Sequence, residues 1–148
     1  GMNMMLACDI VLAAREKARF DSRFLQIGIH PGGGHTWRLR SIAGRQTTMA
    51  MVLFGQVVKA AQALDLGLVW RVVDDDTLVD EAVAVAAVAA GQPAELNARA
   101  KASILALDTV TESDAAVDHE LAPQVWSMGQ PAFRQLVEKL QGDISSRD

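Results

Sequence analysis

A glycine-rich turn is the part of this sequence whose residue types best suit the binding of an oxygen atom. It reads Pro31-Gly32-Gly33-Gly34 and lies directly before a segment with helical character. Glycine has no Cβ and adopts positive φ readily, so a ligand can approach these backbone amides closely. A helix that starts there adds unpaired N–H groups and the positive end of the helix dipole. The turn is therefore a candidate oxygen-binding site, with a plain tight turn as the alternative.

Titratable side chains close to this turn are candidates for proton transfer. His30 precedes Pro31, and because a histidine titrates near neutrality it is a candidate acid or base. The alternative for His30 is a structural or surface histidine. Asp21 is a second candidate, and its alternative is a loop carboxylate that local amides satisfy. We expect His35 to be a neutral imidazole in a first helical turn and His119 to be exposed on a helix, neither with a catalytic role.

Composition and charge narrow the class of protein. The 148 residues are 50% hydrophobic and 22% charged, which suits a globular chain with a sizeable core. A formal net charge of −4 without a cluster of basic residues argues against a nucleic-acid-binding surface. No apolar run approaches the roughly 18 residues that a membrane-spanning helix needs. We therefore expect neither a nucleic acid nor a membrane as partner.

The cysteine content and the first residues of the chain predict a cellular compartment, and the first residues also raise the question of missing upstream sequence. A single cysteine, Cys8, excludes an intramolecular disulfide framework and fits a reducing compartment. The opening residues lack the basic region of a secretory signal, so a cytoplasmic location is expected. The chain nevertheless begins abruptly, which suggests either missing upstream sequence or a residual tag residue at Gly1. The acidic run at residues 74–76 predicts a solvated loop, and no metal site is predicted.

The elements that must position the glycine turn alternate between strands and helices. Residues 8–13 predict a short buried strand, and residues 18–28 predict mixed strand and loop that lead into the turn. The helix after the turn is predicted to end at Gly44, which supplies a left-handed cap. Residues 68–73 predict a further strand because they are rich in β-branched side chains. The fold class is accordingly α/β in the first half, and we place this domain at residues 1–76.

The second half, residues 77–148, is predicted to be a helical region. A capping-box-like start at Thr77 opens a helix that runs to Ala90. The later helices carry apolar side chains at helical spacing. These side chains offer more apolar surface than one chain of this size can cover, which predicts oligomerisation. The residues concerned are Val117, Leu121, Val125 and Phe133.

Several blocks of residues resemble the enoyl-CoA hydratase/isomerase (crotonase) superfamily. They are residues 5–13, 18–20, 28–39, Gly44 and residues 67–69, and their spacing also matches, with one extra residue near Arg15 and Glu16. The resemblance covers nearly the whole chain but only the C-terminal portion of the family's domain. It implies a partial crotonase-like spiral of ββα turns, followed by C-terminal oligomerisation helices that form homotrimers, often paired into hexamers.

The resemblance also implies a substrate class and a set of binding groups. Family members bind acyl-CoA thioesters and stabilise an enolate oxygen with backbone amides, so coenzyme A enters as part of the substrate and no separate cofactor is expected. One such amide belongs to the start of the first helix, which places it at the edge of the chain, at Gly1. Gly32 and the adjacent Gly33 correspond to a further substrate-binding turn. Phe133 matches a residue that reaches the neighbouring subunit's CoA site.

Two departures from the family pattern concern the catalytic residues. Hydratases of the family carry two glutamates that position and deprotonate a water, and the aligned positions here hold Asn3 and Phe24. Neither side chain is a general base. We expect Asn3 to orient a water or a donor and Phe24 to line an acyl pocket. The two-glutamate hydration mechanism therefore does not carry over.

These departures leave alternative functions open. One hypothesis is an acyl-CoA enzyme, a lyase or isomerase, whose chemistry differs from two-glutamate hydration. The other is a non-catalytic or truncated relative that binds acyl-CoA or only oligomerises. An unrelated helical interaction module is disfavoured because it leaves the glycine turn and the strands unexplained.

Overall fold

The computed structural model describes residues 1–145, which form short strands followed by helices. The strands are β1 (Leu12–Ala14), β2 (Arg19–Phe20), β3 (Val58–Lys59) and β4 (Arg71–Val73). The helices are α1 (Met2–Met5), α2 (His35–Val52), α3 (Ala60–Asp65), α4 (Leu78–Ala90), α5 (Ala94–Ala106), α6 (Ser113–Met128) and α7 (Pro131–Ser145). Short 3₁₀ turns occur at Leu25–Ile27 and Leu107–Thr109.

The strands pair in two separate ladders. β1 and β4 are parallel, with Leu12 opposite Arg71, whereas β2 and β3 are antiparallel, with Phe20 opposite Val58. Strands β1 and β2 are neighbours in the sequence, yet each pairs with a strand that follows α2. The long segment between β2 and β3, which contains the glycine turn and α2, is therefore held at both ends by strand pairing.

The chain forms two compact units, of which the first is Gly1–Ala84 and the second begins at Val85. The apolar core lies in the first unit, where Leu39, Met51 and Ala63 are completely buried. In the second unit, none of the described side chains from residue 85 to residue 142 is buried. The domain boundary predicted after residue 76 lies between β4 and α4 and stays a prediction.

The strand predicted at residues 8–13 is wrong in position. The amides of Ala7 and Cys8 donate to the carbonyl oxygens of Met4 and Met5, at 3.1 and 3.0 Å, so the chain completes a helical turn there. The strand begins only at Leu12. Cys8 is consequently exposed and does not lie in a buried strand.

The strand predicted at residues 68–73 is shorter in the structure, and the helix predicted to end at Gly44 is interrupted there. β4 begins at Arg71 because the amides of Leu68 and Val69 both donate to the carbonyl oxygen of Ala63, which folds them into a turn after α3. Gly44 does adopt positive φ, 78°, with ψ 172°. The first helical segment ends there at a kink, as predicted, and a second segment follows to Val52, so that the range of α2 includes both.

The acidic loop after β4 has a structural role that its composition did not predict. The Asp75 carboxylate accepts hydrogen bonds from the backbone amides of Glu16 and Lys17, at 2.8 and 3.0 Å. Asp74 accepts a hydrogen bond from Arg15 Nε at 3.1 Å. This loop therefore fixes the β1–β2 connection. Within residues 1–145 there is no group of three or more side chains that could hold a metal ion, and no helix is both long and apolar enough to cross a bilayer.

Candidate functional site

The glycine turn has a backbone conformation that only glycine accommodates easily. Gly33 and Gly34 have φ of 65° and 77°, in the left-handed region that is costly for a residue with a Cβ. Space is limited as well, because a Cβ at Gly33 would lie 2.9 Å from Asn3 Nδ2 and one at Gly34 would lie 2.8 Å from Arg38 Nη1. The turn leads directly into α2, which begins at His35.

Two side chains bind consecutive carbonyl groups of this turn. Asn3 Nδ2 donates to the Gly32 carbonyl oxygen at 2.9 Å, and Arg38 Nη1 donates to the Gly33 carbonyl oxygen at 2.7 Å. In a trans peptide the carbonyl and the following N–H point in opposite directions. The amides of Gly33 and Gly34 are therefore directed away from these two side chains. Within residues 1–145, neither amide donates to a backbone carbonyl.

A cluster of side chains centred on the buried imidazole of His35 lies under the turn. We call Asn3, Ser22, Phe24 and His35 the His35 cluster. His35 and Ser22 are each 1% exposed. His35 Nδ1 lies 2.6 Å from Asn3 Oδ1, and His35 Nε2 lies 2.8 Å from Ser22 Oγ. Both ring nitrogens of this buried imidazole thus have hydrogen-bond partners, as buried polar groups generally require.

The hydrogen bonds define the tautomer of His35. Because the Asn3 amide nitrogen donates to the Gly32 carbonyl oxygen, Asn3 Oδ1 faces His35 and can only accept. The proton of the neutral ring is therefore on Nδ1, and Nε2 accepts from the Ser22 hydroxyl. Burial lowers the pKa of His35, which favours this neutral form. The neutral imidazole predicted for the first helical turn is confirmed.

Phe24 contacts the same imidazole from another side. Its ring centroid lies 4.8 Å from that of His35, with the two planes at 60°. Such edge-to-face contacts contribute about 0.5–1.5 kcal/mol beyond area burial in aromatic pairs. Asn3 and Phe24, the two positions predicted to correspond to the family glutamates, are thus brought together around His35. Sequence reasoning named both positions but did not predict that one histidine joins them.

Asp21 and His30 lie outside the His35 cluster. Asp21 Oδ2 accepts hydrogen bonds from the Arg23 guanidinium, so its partner is an arginine rather than the local amides that the loop interpretation predicted. Its Oδ1 is buried without a hydrogen-bond partner in the described part of the chain. His30 is exposed, and its Nδ1 donates to the Pro31 carbonyl oxygen at 2.7 Å, which leaves Nε2 as the unprotonated nitrogen of the neutral ring.

The remaining predicted site residues lie at the chain start and in the second unit. Gly1 is exposed and precedes α1, where its carbonyl oxygen accepts from the Met5 amide at 3.1 Å. Phe133 lies on α7 and lines a cavity of about 420 Å³ in the second unit, together with Leu96, Trp126 and Leu136. Polar residues also line this cavity, among them Gln92, Glu95 and Gln130.

Sequence reasoning missed Ser22 and Arg38. Ser22 stands between two charged residues in a loop, and nothing in its sequence context indicates that its hydroxyl is buried. Arg38 has a detectable signal, because it lies four residues after Gly34 at the start of a helix. That spacing places its side chain back over the turn, since helical side chains lean toward the N-terminus.

Comparison with known proteins assigns the chain to a family. A model of the enoyl-CoA hydratase/isomerase family matches residues 1–142, and the chain belongs to that family. The resemblance that the sequence blocks indicated is thereby confirmed. The α/β fold, a partial crotonase-like domain, is confirmed by the similar solved structures.

Named relatives include both hydratases and an isomerase. The chain is 39% identical over 142 residues to the Mycobacterium tuberculosis protein named "Probable enoyl-CoA hydratase EchA14", a match that covers 90% of this chain and 53% of that protein. It is 43% identical over 93 residues to 1,2-epoxyphenylacetyl-CoA isomerase of Escherichia coli (strain K12), covering 63% of this chain and 35% of the relative. The crystal structure of an enoyl-CoA hydratase of Mycobacterium smegmatis is similar with a TM-score of 0.84 and 26% identity, covering 97% of this chain and 55% of that one. The chain thus spans about half the length of these hydratases.

Proposed function

We propose that this chain is part of an enzyme that acts on an acyl-CoA thioester by stabilising an enolate oxygen. The observation that carries the proposal is the glycine turn, where Asn3 and Arg38 bind the carbonyl groups of Gly32 and Gly33. The amides that follow these carbonyl groups point to the other side of the turn. Preorganised N–H donors of this kind stabilise the charge that develops on an oxygen in the transition state.

The proposed chemistry differs from two-glutamate hydration. Asn3 and Phe24 carry no carboxylate, and both ring nitrogens of the buried His35 are engaged. Proton transfer is therefore assigned to a group at the turn itself, and His30 is the proposed acid or base, because its Nε2 is exposed beside Pro31. Asp21 is the second candidate. Phe24 is proposed to line the acyl pocket rather than to activate water.

The test is an absorbance assay with crotonyl-CoA combined with a calorimetric binding measurement, made on the chain and on the complete reading frame that contains it. We expect binding without the turnover of an ordinary hydratase. Gly33→Ala should abolish binding, because its Cβ would lie 2.9 Å from Asn3 Nδ2, whereas Gly142→Ala, a glycine with open space around it, should not. Ordinary hydratase turnover would contradict the proposed chemistry.

A second candidate function is that of a non-catalytic or truncated relative that binds acyl-CoA or oligomerises. It is favoured by the same substitutions at Asn3 and Phe24, since they remove the hydration machinery. The two candidates differ in the effect of His30→Gln. For an isomerase or lyase, this change should lower turnover of an accepted substrate about 100-fold or more. For the non-catalytic relative, no acyl-CoA is converted before or after the change.

We further propose that the helices of the second unit form a homotrimer or a hexamer. On α6, Val117, Leu121 and Val125 are 60%, 52% and 59% exposed. Sedimentation should show an assembled species that Leu121→Glu dissociates, because a charge would be buried in an apolar interface. His119→Glu, an exposed position two residues before Leu121 and therefore on the opposite face of α6, is the matched control. A monomer at all concentrations would contradict the proposal.

A cytoplasmic location is also proposed. It is supported by the single cysteine, Cys8, whose exposed thiol suits a reducing compartment. Fluorescence imaging of the tagged complete protein in its own cells would test the location. Accumulation in an oxidising compartment would contradict it.

A further inference from the structure

The His35 cluster connects a buried histidine to the backbone of the glycine turn through one side chain. His35 Nδ1–H donates to Asn3 Oδ1 at 2.6 Å, and Asn3 Nδ2 donates in turn to the Gly32 carbonyl oxygen at 2.9 Å. A carboxamide is planar, so fixing its oxygen also fixes the direction of its nitrogen. His35 thereby determines which atom of Asn3 faces the turn.

The Gly32 carbonyl oxygen and the Gly33 amide belong to the same peptide plane. Rotation of that plane is the softest motion available to a segment of three glycines, since glycine has the widest range of φ and ψ. The hydrogen bond from Asn3 opposes this rotation from one side, and the bond from Arg38 to the Gly33 carbonyl oxygen restrains the next plane at 2.7 Å. The directions of two successive amides therefore depend on two side chains.

We propose that His35 is a positioning residue, which acts through Asn3 to hold the Gly32–Gly33 peptide plane so that the Gly33 amide faces the substrate oxygen. This inference rests on the proposed function of the turn and adds a residue to it. Ser22 fits the same arrangement, because its hydroxyl can donate to an unprotonated Nε2 at 2.8 Å.

If His35 acts through Asn3, an amide suits position 3 of this chain better than a carboxylate does. An aspartate at this position would still accept from His35 Nδ1–H, but it has no N–H for the Gly32 carbonyl oxygen. Two acceptor oxygens would then face one another, and the peptide plane would turn. The carboxylate would also favour the protonated form of His35.

The experiment is an NMR comparison of ¹⁵N-labelled wild-type chain and variants. Long-range ¹H–¹⁵N correlations should show His35 of the wild type as the neutral tautomer protonated at Nδ1. His35→Asn retains an N–H at the δ position, and we expect the Gly33 amide resonance to stay at its wild-type position. His35→Leu removes that donor, and we expect the resonance to move. This contrast separates positioning from packing, since a purely structural role would not be rescued by the polar variant.

Asn3→Asp is the second variant, and it keeps the test decisive if His35→Leu does not fold. We expect the Gly33 resonance to move and His35 to be protonated in a pH range where it is neutral in the wild type. Thr36→Ser, at an exposed neighbouring position, is the matched control and should move the Gly33 resonance least. An Nε2-protonated tautomer in the wild type would overturn the proposal. So would a Gly33 resonance that responds to Asn3→Asp no more than to Thr36→Ser.

The outcome is distinguishable from a failure of the proposed function, because none of these measurements requires a ligand. Addition of crotonyl-CoA to the same samples then tests the positioning role of His35 together with the proposed function of the turn. If the turn binds the thioester, affinity should follow the Gly33 resonance, with wild type and His35→Asn similar and His35→Leu weaker by about tenfold or more. Intact positioning without any crotonyl-CoA binding would contradict the proposed function alone.

Discussion

The two units of this chain differ in whether they contain a buried core. In the first unit, apolar side chains such as Leu39 are completely buried, and the buried imidazole of His35 has a partner at both nitrogens. In the second unit, large apolar side chains of α5, α6 and α7 are exposed, and no described side chain from residue 85 to residue 142 is buried. Both units expose large apolar side chains, for example Trp37 and Phe54 in the first and Val117 in the second, but among the described residues only the first unit has a buried core.

We expect this difference to separate the effects of substitutions in the two units. A buried polar cluster costs stability unless every group is bonded, so its members must be chosen together. Exposed helical faces need only be apolar and periodic, and they tolerate replacement of one aliphatic residue by another. We therefore expect substitutions in the first unit to act within one chain and substitutions in the second unit to act on assembly.

The largest expected effect contrasts Leu39 with Leu121. Leu39 on α2 is completely buried, so Leu39→Ala should lower the free energy of unfolding by about 2–5 kcal/mol. Leu121 on α6 is 52% exposed, and Leu121→Ala should change it by about 0.5 kcal/mol or less. Urea unfolding at a concentration where the chain does not self-associate measures both. Equal losses would show that the second unit has its own core, which would break the contrast between the units.

Smaller changes in stability are expected at two glycines, and these two changes have opposite signs. Gly34→Ala should destabilise the chain by about 1–2 kcal/mol, because its φ is 77° and the new Cβ would displace Arg38 from the Gly33 carbonyl oxygen. Gly142→Ala lies in α7 with open space around it, and should stabilise by about 0.5–1 kcal/mol. Thermal unfolding followed by circular dichroism compares the two. A stabilising Gly34→Ala would show that the turn is not constrained as described.

The smallest expected effect is a pH dependence specific to the first unit. Burial lowers the pKa of His35, so the unfolded chain binds more protons than the folded chain as pH falls through about 6.5. Stability should therefore decrease in this window and change little above it. His35→Asn should reduce the slope of the free energy of unfolding against pH, whereas His119→Asn, at an exposed position on α6, should leave that slope unchanged. Parallel slopes in all three proteins, from denaturant unfolding at pH 5 to 7.5, would exclude this contribution.

The elements of this fold were more predictable than their contacts. Helices α3 to α7 follow from apolar spacing and from Gly and Pro at their ends, and the positive φ of Gly44 and Gly67 follows from glycine stops. The strand bounds were not predictable, because three-residue strands are set by pairing with distant segments, as β1 is with β4. Local sequence carries little of that information.

In the candidate site too, the residues were predictable but their contacts were not. Asn3 and Phe24 were predicted as site residues from the family resemblance, and Gly32 and Gly33 from that resemblance and the chemistry of the turn. Their common contact with His35 was not, because Asn3 and His35 are 32 residues apart and meet only when α1 packs beneath the start of α2. Ser22 was missed for the same reason. A buried hydrogen-bond partner is a property of the tertiary structure, and its residue type alone does not indicate it.

The Ser22 hydroxyl gives the His35 cluster a further property. Its Oγ lies 2.8 Å from His35 Nε2 and 3.4 Å from Met2 Sδ, and a hydroxyl hydrogen rotates between such neighbours. When the imidazole takes up a proton at Nε2, the same oxygen can accept from it while its own hydrogen turns toward the sulfur. Both charge states then share one set of heavy-atom positions. Neutron diffraction at two pH values would therefore see a change of hydrogen sites that X-ray maps of the same crystals would not.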